Sequence, residues 1–358
     1  MTRRISTEVR VPNRPDGGVV IKRDERVPVS VVQRRLGSLL AGLGPAPVGR
    51  EPFFNSMWTS RTATLFLFQD SDDITKRVVV KVLSSAHEAE SLARSLNETA
   101  DRLGDVVGTE KVRCLGLFDE PHAVVMNMVS GASLNQLLAG KPSDLGEICL
   151  YSRTAGEMLA TYHSSTRGHP DVMKAAARKH LESIAVTARV PGSLNTLQHL
   201  LGTGDVVENC QDHFPEHLIV TSNGKLARID SPVDQPFVYR EHDLAAFMVR
   251  AGFAVYRLGQ LARPFAAVKS MTVVRSAFIS GYYGVLGRQA DEVELARLEV
   301  WEALLLRWRL ELRVARSRLK LRPYASPEFL GWRVRSAWQM KQIRKQRGAA
   351  HIVTSQPT

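Results

Sequence analysis

The spacing of apolar residues changes period along the chain. From Val29 to Leu43 they fall at positions 32, 36, 39, 40 and 43, which predicts a helix ended by Gly42, Gly44, Pro45 and Pro47. Phe53 to Phe68 reads as two strands around a polar turn, at either Asn55-Ser56 or Thr59-Ser60-Arg61. Arg77 to Leu83 is β-branched and strand-like, with Lys81 in its middle. Ser84-Ser85 then opens a helix that carries Ala86, Ala89, Leu92, Ala93 and Leu96 on one face. Two more strands are expected at Val112–Phe118 and Ala123–Val129, joined by a turn at Asp119-Glu120-Pro121.

After Val129 the helical period takes over. Helices are expected at Leu134–Leu138, Leu145–His163, Val172–Ala188, Leu194–Leu201, Leu244–Leu261, Val268–Tyr283 and Asp291–Leu321. One hairpin interrupts them. Leu218-Ile219-Val220 leads to Asn223-Gly224, and a second apolar run ends at Ile229-Asp230. Asn-Gly between two such runs is a strong short-range hairpin signal. The fold class expected is therefore α+β. A β-rich lobe spans residues 28–129, and a helical lobe with the hairpin spans 130–290. A flexible basic arm is expected over 1–27, basic helices over 291–347 and a disordered tail over 348–358.

Composition changes this picture little. Of the 358 residues, 44% are apolar and 23% charged, as in a soluble globular protein. The net charge of +12 favours anionic partners. The three cysteines, Cys114, Cys149 and Cys210, are widely spaced and form no Cys-x-x-Cys pair. A disulfide framework and a structural zinc site are not expected, and a cytoplasmic location is. No signal peptide is read at the N-terminus and no run approaches a membrane span. In the C-terminal segment Trp301, Trp308, Trp332 and Trp338 interleave with arginines. That pattern fits either helices packed on the helical lobe or a peripheral contact with an anionic membrane surface. No nucleic-acid-binding motif is present, and no nucleic acid is expected as a partner.

The hairpin carries the candidate chemistry. Asp212 and His217 stand just before its first strand, and Asp230 stands at the end of its second. Two carboxylates and an imidazole brought to one end suit Mg²⁺ and an activated hydroxyl, the requirements of phosphoryl transfer.

In this order the motifs resemble the aminoglycoside phosphotransferase branch of the protein-kinase-like fold, over roughly Phe53 to Tyr283. They are Lys81 in Val-Val-Val-Lys-Val, Glu88 in His-Glu-Ala-Glu-Ser-Leu, and Met128-Val129-Ser130-Gly131-Ala132-Ser133-Leu134. Leu159-Ala160-Thr161-Tyr162-His163 follows, then Asp212 five residues before His217, Asp230 one hairpin later, and Asp243-Leu244-Ala245. The resemblance implies a bilobal fold that uses ATP and Mg²⁺. Lys81 would grip the nucleotide phosphates and Glu88 would orient it. Ser56 would lie in the phosphate-covering turn and Met128 at the hinge beside the nucleotide. Asp212 would act on the attacking hydroxyl, Asp230 and His217 would ligate the metal, and Asp243 would steady the catalytic loop.

The sequence departs from the family at four places. His217 stands where asparagine is usual, which is similar to the lipopolysaccharide-core sugar kinases of the same fold. Cys210-Gln211 replaces His-Gly, and Asp230-Ser231-Pro232 replaces Asp-Phe-Gly, while the turn near Asn55-Ser56 lacks glycine. The function expected is an ATP- and Mg²⁺-dependent kinase acting on a hydroxyl of a sugar, glycolipid or amino-alcohol. The alternative is a catalytically inactive pseudokinase serving as a binding or scaffold module.

Overall fold

The computed structural model describes residues 27–42, 53–59, 63–70, 77–104, 106–140, 145–189, 194–210, 213–229, 237–256 and 264–316. The chain opens with helix α1 (Val29–Gly42). Strands β1 (Phe53–Thr59), β2 (Thr64–Gln69) and β3 (Arg77–Val82) follow, then helix α2 (Ala86–Arg102). The short β4 (Thr109–Glu110) precedes β5 (Cys114–Phe118) and β6 (Ala123–Asn127). A five-stranded antiparallel sheet results, in the order β1-β2-β3-β6-β5.

The period-two alternation of β3 gives this sheet two different faces. Val78, Val80 and Val82 point to one side and pack with Phe66 and Phe68 against Val32, Leu36 and Leu40 of α1. Those α1 residues are the ones whose spacing predicts the helix. Val79, on the opposite face, packs with Leu92 and Leu96 of α2. Lys81 shares the face of Val79 by the same alternation.

The second half continues with β7 (Gly131–Ser133), α3 (Leu134–Ala139), α4 (Leu145–Ser164), α5 (Pro170–Thr187) and α6 (Leu194–Leu201). Then come β8 (Val206–Glu208), a 3-10 turn (Pro215–His217), β9 (Leu218–Thr221), β10 (Leu226–Arg228) and β11 (Phe237–Tyr239). Helices α7 (Arg240–Val255), α8 (Pro264–Val285) and α9 (Glu292–Arg316) complete the described chain. The architecture is a mixed α+β fold of two lobes, one built on the five-stranded sheet and one mainly helical.

Helices α4 and α8 cross closely because glycines face the partner backbone. A Cβ on Gly156 would lie 2.1 Å from the Phe278 carbonyl oxygen, and one on Gly281 would lie 2.1 Å from that of Arg153. One apolar core joins α4, α5, α7, α8 and α9. In α9, Leu298, Trp301, Leu304, Leu305 and Leu310 are buried in that core and Trp308 packs against it. The tryptophans of this helix thus pack on the helical lobe. The basic helix expected over Phe329–Arg347, with Trp332 and Trp338, lies outside the described residues, as do most of the arm expected over 1–27 and the whole 348–358 tail.

The hairpin is part of a larger unit than the sequence suggests. The Thr221 amide donates to the Lys225 carbonyl at 2.8 Å, closing the loop Ser222-Asn223-Gly224 with Gly224 at φ 69°. Around it runs a four-stranded sheet in the order β4-β10-β9-β7, with β10 parallel to β4. The short strands β4 and β7 leave no periodic signal in two or three residues. Ile219 and Ala227 of the hairpin belong to the same apolar cluster as Val79, Leu92 and Met126. That cluster joins the Lys81 side of the large sheet to the hairpin, so the two lobes meet at the candidate site.

Candidate active site

The segment around Asp212 is fixed on both sides. Asp212 and Asp230 themselves, with Gln211, lie outside the described residues. On the near side the Cys210 amide donates to Asp243 Oδ2 at 2.7 Å. On the far side the His213 amide donates to the Cys210 carbonyl at 3.1 Å. The His213 ring reaches α4, where Nε2 donates to the Ala155 carbonyl at 2.9 Å. Its imidazole lies 6.1 Å from the Phe247 ring and 6.4 Å from that of Phe278, two rings stacked on each other at 4.0 Å. Burial, then the nearby Arg228 guanidinium, lowers its pKa to about 3, so it is neutral near pH 7.

Asp243 is the centre of this anchor. It stands in the first turn of α7 and is 4% exposed. Besides the Cys210 amide, Oδ2 meets His163 Nε2 at 3.1 Å, and Oδ1 meets His242 Nδ1 at 2.9 Å. Burial alone would raise its pKa, but the hydrogen bonds from His163 and His242 outweigh burial and hold the carboxyl well below the usual range. An ionised carboxylate only accepts, so both imidazoles present an N–H to it. His163 Nδ1 is then an acceptor for the Tyr282 hydroxyl, at 2.8 Å. His242 Nε2 is likewise an acceptor for His180 Nε2, at 3.3 Å. The network ties α4, α5, α7 and α8 to the residue two positions before Asp212.

At the hairpin end, the Ile229 amide donates to the His217 carbonyl at 3.0 Å. His217 is therefore in contact with the residue that precedes Asp230, and its ring lies 6.0 Å from that of Phe214. Among the described residues no group of three or more His, Cys, Asp or Glu could hold a metal ion. Asp230, the carboxylate expected to do so with His217, falls outside that set.

On the other lobe, Lys81 is half-buried on β3, opposite Leu65 and Val124. Glu88 is in the first turn of α2. Its Oε2 accepts from the Ser84 hydroxyl at 2.5 Å and from the Ser84 amide at 3.1 Å. The Ser85 hydroxyl, at the N-cap, in turn accepts from the Glu88 amide at 3.2 Å. The Ser84 hydrogen bonds lower the Glu88 pKa. Among the ion pairs between described residues there is none from Lys81 to Glu88.

Ser56 lies within β1 and not in a turn. A bulge between Phe54 and Ser56 leaves Asn55 unpaired in the ladder, and Asn55 Nδ2 donates to Gln69 Oε1 at 2.6 Å. The sheet register overrides the local turn preference of Asn-Ser, and the other expected turn position, Thr59-Ser60-Arg61, lies largely outside the described residues. Met128 follows β6, its amide donating to the Arg77 carbonyl at 3.2 Å, and it packs against the cluster shared by the lobes.

Several buried residues of the site give no motif in the sequence. Arg228 on β10 is 4% exposed, and Nη1 donates to Cys210 Sγ at 2.9 Å. Burial pushes the Cys210 thiol up to about 12, so it is a neutral acceptor. Two guanidiniums lie over the Tyr162 ring, that of Arg102 at 4.8 Å and that of Arg228 at 5.7 Å. Arg102 Nη1 also donates to Glu208 at 2.7 Å, joining the end of α2 to β8. The one available signal for Arg228 was the kind that marks Lys81, a cation within an apolar strand run.

A sheet lobe and a helical lobe meeting at an anchored loop and a hairpin define the class of architecture. A putative fructosamine-3-kinase from Thermobifida fusca is similar, with 17% identity, 88% of this chain and 100% of that chain covered, and a TM-score of 0.49. The choline kinase LicA from Streptococcus pneumoniae is similar with 13% identity, 87% and 98% covered, and a TM-score of 0.47. The GDP complex of an aminoglycoside 2'-phosphotransferase-IIIa is similar with 9% identity, 89% and 99% covered, and a TM-score of 0.49. No family model matches the chain, and no curated protein matches it in sequence.

Proposed function

We propose that the chain is an ATP- and Mg²⁺-dependent phosphotransferase acting on a hydroxyl of a sugar, glycolipid or amino-alcohol. One observation carries the reading. The buried Asp243 carboxylate holds the Cys210 amide, and with it the start of the segment that bears Asp212. Phosphoryl transfer asks a protein mainly for positioning and charge neutralisation, and a segment held at its start supplies the first.

The donor set fits the groups this reaction needs. Asp230 offers the hard oxygens that Mg²⁺ takes, with His217 as a nitrogen donor one hairpin earlier in the chain. Lys81 lies on the side of the sheet that shares a core cluster with the hairpin. Mg²⁺, when bound, neutralises charge on the transferred phosphate. Lys81 pairs with nucleotide phosphates, Met128 borders the base, and Asp212 accepts the proton of the attacking hydroxyl. Asp243 acts only through Cys210. A net charge of +12 disfavours polycationic acceptors such as aminoglycosides.

The test is the melting temperature with ATP, with and without Mg²⁺. A Mg²⁺-dependent rise is expected, because a ligand that binds only the folded state stabilises it by mass action. Asp230→Asn is expected to lose that rise. Asp212→Ala is expected to keep it and lose phosphate release. The absence of a Mg²⁺-dependent rise in the intact protein overturns the reading.

A second reading is an inactive binding module. Glu88 held by Ser84, and an imidazole at 217, are the observations that favour it. It predicts nucleotide binding without turnover under any acceptor. A peripheral contact with an anionic membrane surface would rest on the basic residues after Arg316, and no described helix is long and apolar enough to cross a membrane.

A further inference from the structure

Arg228 is a buried cation that the proposed chemistry does not use. It stands on β10, two residues before Asp230. Its Nη1 donates to Cys210 Sγ at 2.9 Å, and Cys210 stands two residues before Asp212. In sequence the two segments are 18 residues apart. In the fold this guanidinium contacts both, as strand residue of one and hydrogen-bond donor to the other. The sulfur is a buried acceptor within reach of the guanidinium, whose Nη1–H donates to it. The Tyr162 ring backs the guanidinium at 5.7 Å, and the Arg102 guanidinium lies 4.8 Å from the same ring. A planar group held by a ring and a directional donor fixes distance and angle together, which a flexible ammonium does not.

We propose that Arg228 is a positioning residue: its bond to the Cys210 sulfur sets the spacing between the segment that carries Asp212 and the strand that leads to Asp230. The role rests on the phosphotransferase reading, but the coupling of the two segments does not. Asp243 fixes the Cys210 backbone from the helical side. Arg228 fixes its side chain from the hairpin side. Cys210 is thereby held from two directions, and the second ties it to β10, the strand that precedes Asp230 in sequence.

The experiment uses the full chain with Arg228→Lys, Cys210→Ser and Cys210→Val. Hydrogen exchange is followed in peptides covering residues 209–214 and 226–230, together with Mg²⁺·ATP turnover. Arg228→Lys is expected to speed exchange in both segments, although only one contains the substitution. It is expected to lower kcat by about ten- to a hundredfold with a KM for Mg²⁺·ATP within about threefold of the parent, as for a misplaced group that leaves the binding contacts in place. Cys210→Ser, which keeps an acceptor, is expected to stay within about threefold of the parent in kcat, and Cys210→Val to match Arg228→Lys. The double variant Cys210→Val/Arg228→Lys is expected to lose no more than the worse single one. Unchanged exchange over 209–214 in Arg228→Lys overturns the proposal, as does Cys210→Val with the turnover of the parent. If the parent shows no Mg²⁺·ATP binding or turnover, the phosphotransferase reading fails, and the exchange measurement alone still decides whether Arg228 couples the segments.

Discussion

Two acidic residues, each in the first turn of a helix, lead different lives in the two lobes. Glu88 opens α2 near the surface, and its carboxylate is engaged by Ser84, four residues back. Asp243 opens α7 in the core and gathers donors from two distant parts of the chain, Cys210 and His163, and from its neighbour His242. Both have lowered pKa values, for different reasons. Local hydrogen bonds suffice at Glu88. At Asp243 burial opposes ionisation and the imidazole hydrogen bonds overcome it. The contrast shows that a carboxylate's work is decided by who donates to it. The local donor belongs to the start of its own helix, and the distant donors tie α4 and the Cys210 backbone to α7.

The comparison breaks most visibly at Asp243. Asp243→Ala strands three buried donors, and removal of one member of a buried charged network costs about 3–5 kcal/mol. Chemical denaturation is expected to show a loss of that size, and a loss below about 1 kcal/mol would mean that the network is not held by this carboxylate.

The neighbouring imidazoles give the next effect. Burial lowers the pKa of His180 to about 4, with His242 adding to it, and that of His213 to about 3, against an ordinary 6.5. Between these values and 6.5 the unfolded chain binds more protons than the folded one. Stability is therefore complete above pH 6.5 and falls as pH is lowered toward 4, by up to about 1.4 kcal/mol per pH unit for each imidazole. Denaturation midpoints between pH 7.5 and 4.5 measure this, and His180→Gln is expected to flatten the slope by about one proton. A flat profile in the parent would falsify the assignment of neutral buried imidazoles.

The lobe bearing Lys81 and Glu88 separates local from site effects. Lys81→Met is expected to remove the Mg²⁺·ATP-dependent rise in Tm and about a hundredfold of turnover, since it takes away a charge on the phosphates. Glu88→Gln keeps a capping acceptor and is expected to change turnover by less than about threefold and Tm by less than about 3 °C. A hundredfold loss in Glu88→Gln would instead give Glu88 the lysine-orienting role that the motif implies.

The larger elements were legible in the sequence because each writes a period over many residues. Helix α1 was marked by Val32, Leu36 and Leu40, and α6 by its apolar run from Leu194 to Leu201. The Asn223-Gly224 signal fixed the hairpin. Strands β4, β7, β8 and β11 were not legible, since two or three residues carry no period and are held by partners elsewhere. Asn55-Ser56 read as one of two candidate turns, yet pairing with β2 keeps it in a strand and absorbs the irregularity as a bulge. Within the site, Asp243 was visible as the acidic start of an apolar helix. Its pairing with His163 was not, although His163 closes a motif, because 80 residues separate the two until the folded chain brings them together.

By itself the sequence determined the period of each long element, the turn that makes the hairpin, and the residue types available for chemistry, since these depend on neighbours a few positions away. Tertiary structure alone decided which charges are buried together. It joined Cys210 to Asp243 across 33 residues and to Arg228 across 18, and His163 to Tyr282 across 119. It also left Glu88 with its own helix cap. The physical reason is that a hydrogen bond or a desolvated charge acts over a few ångströms, and chain folding, not sequence distance, sets which groups come that close.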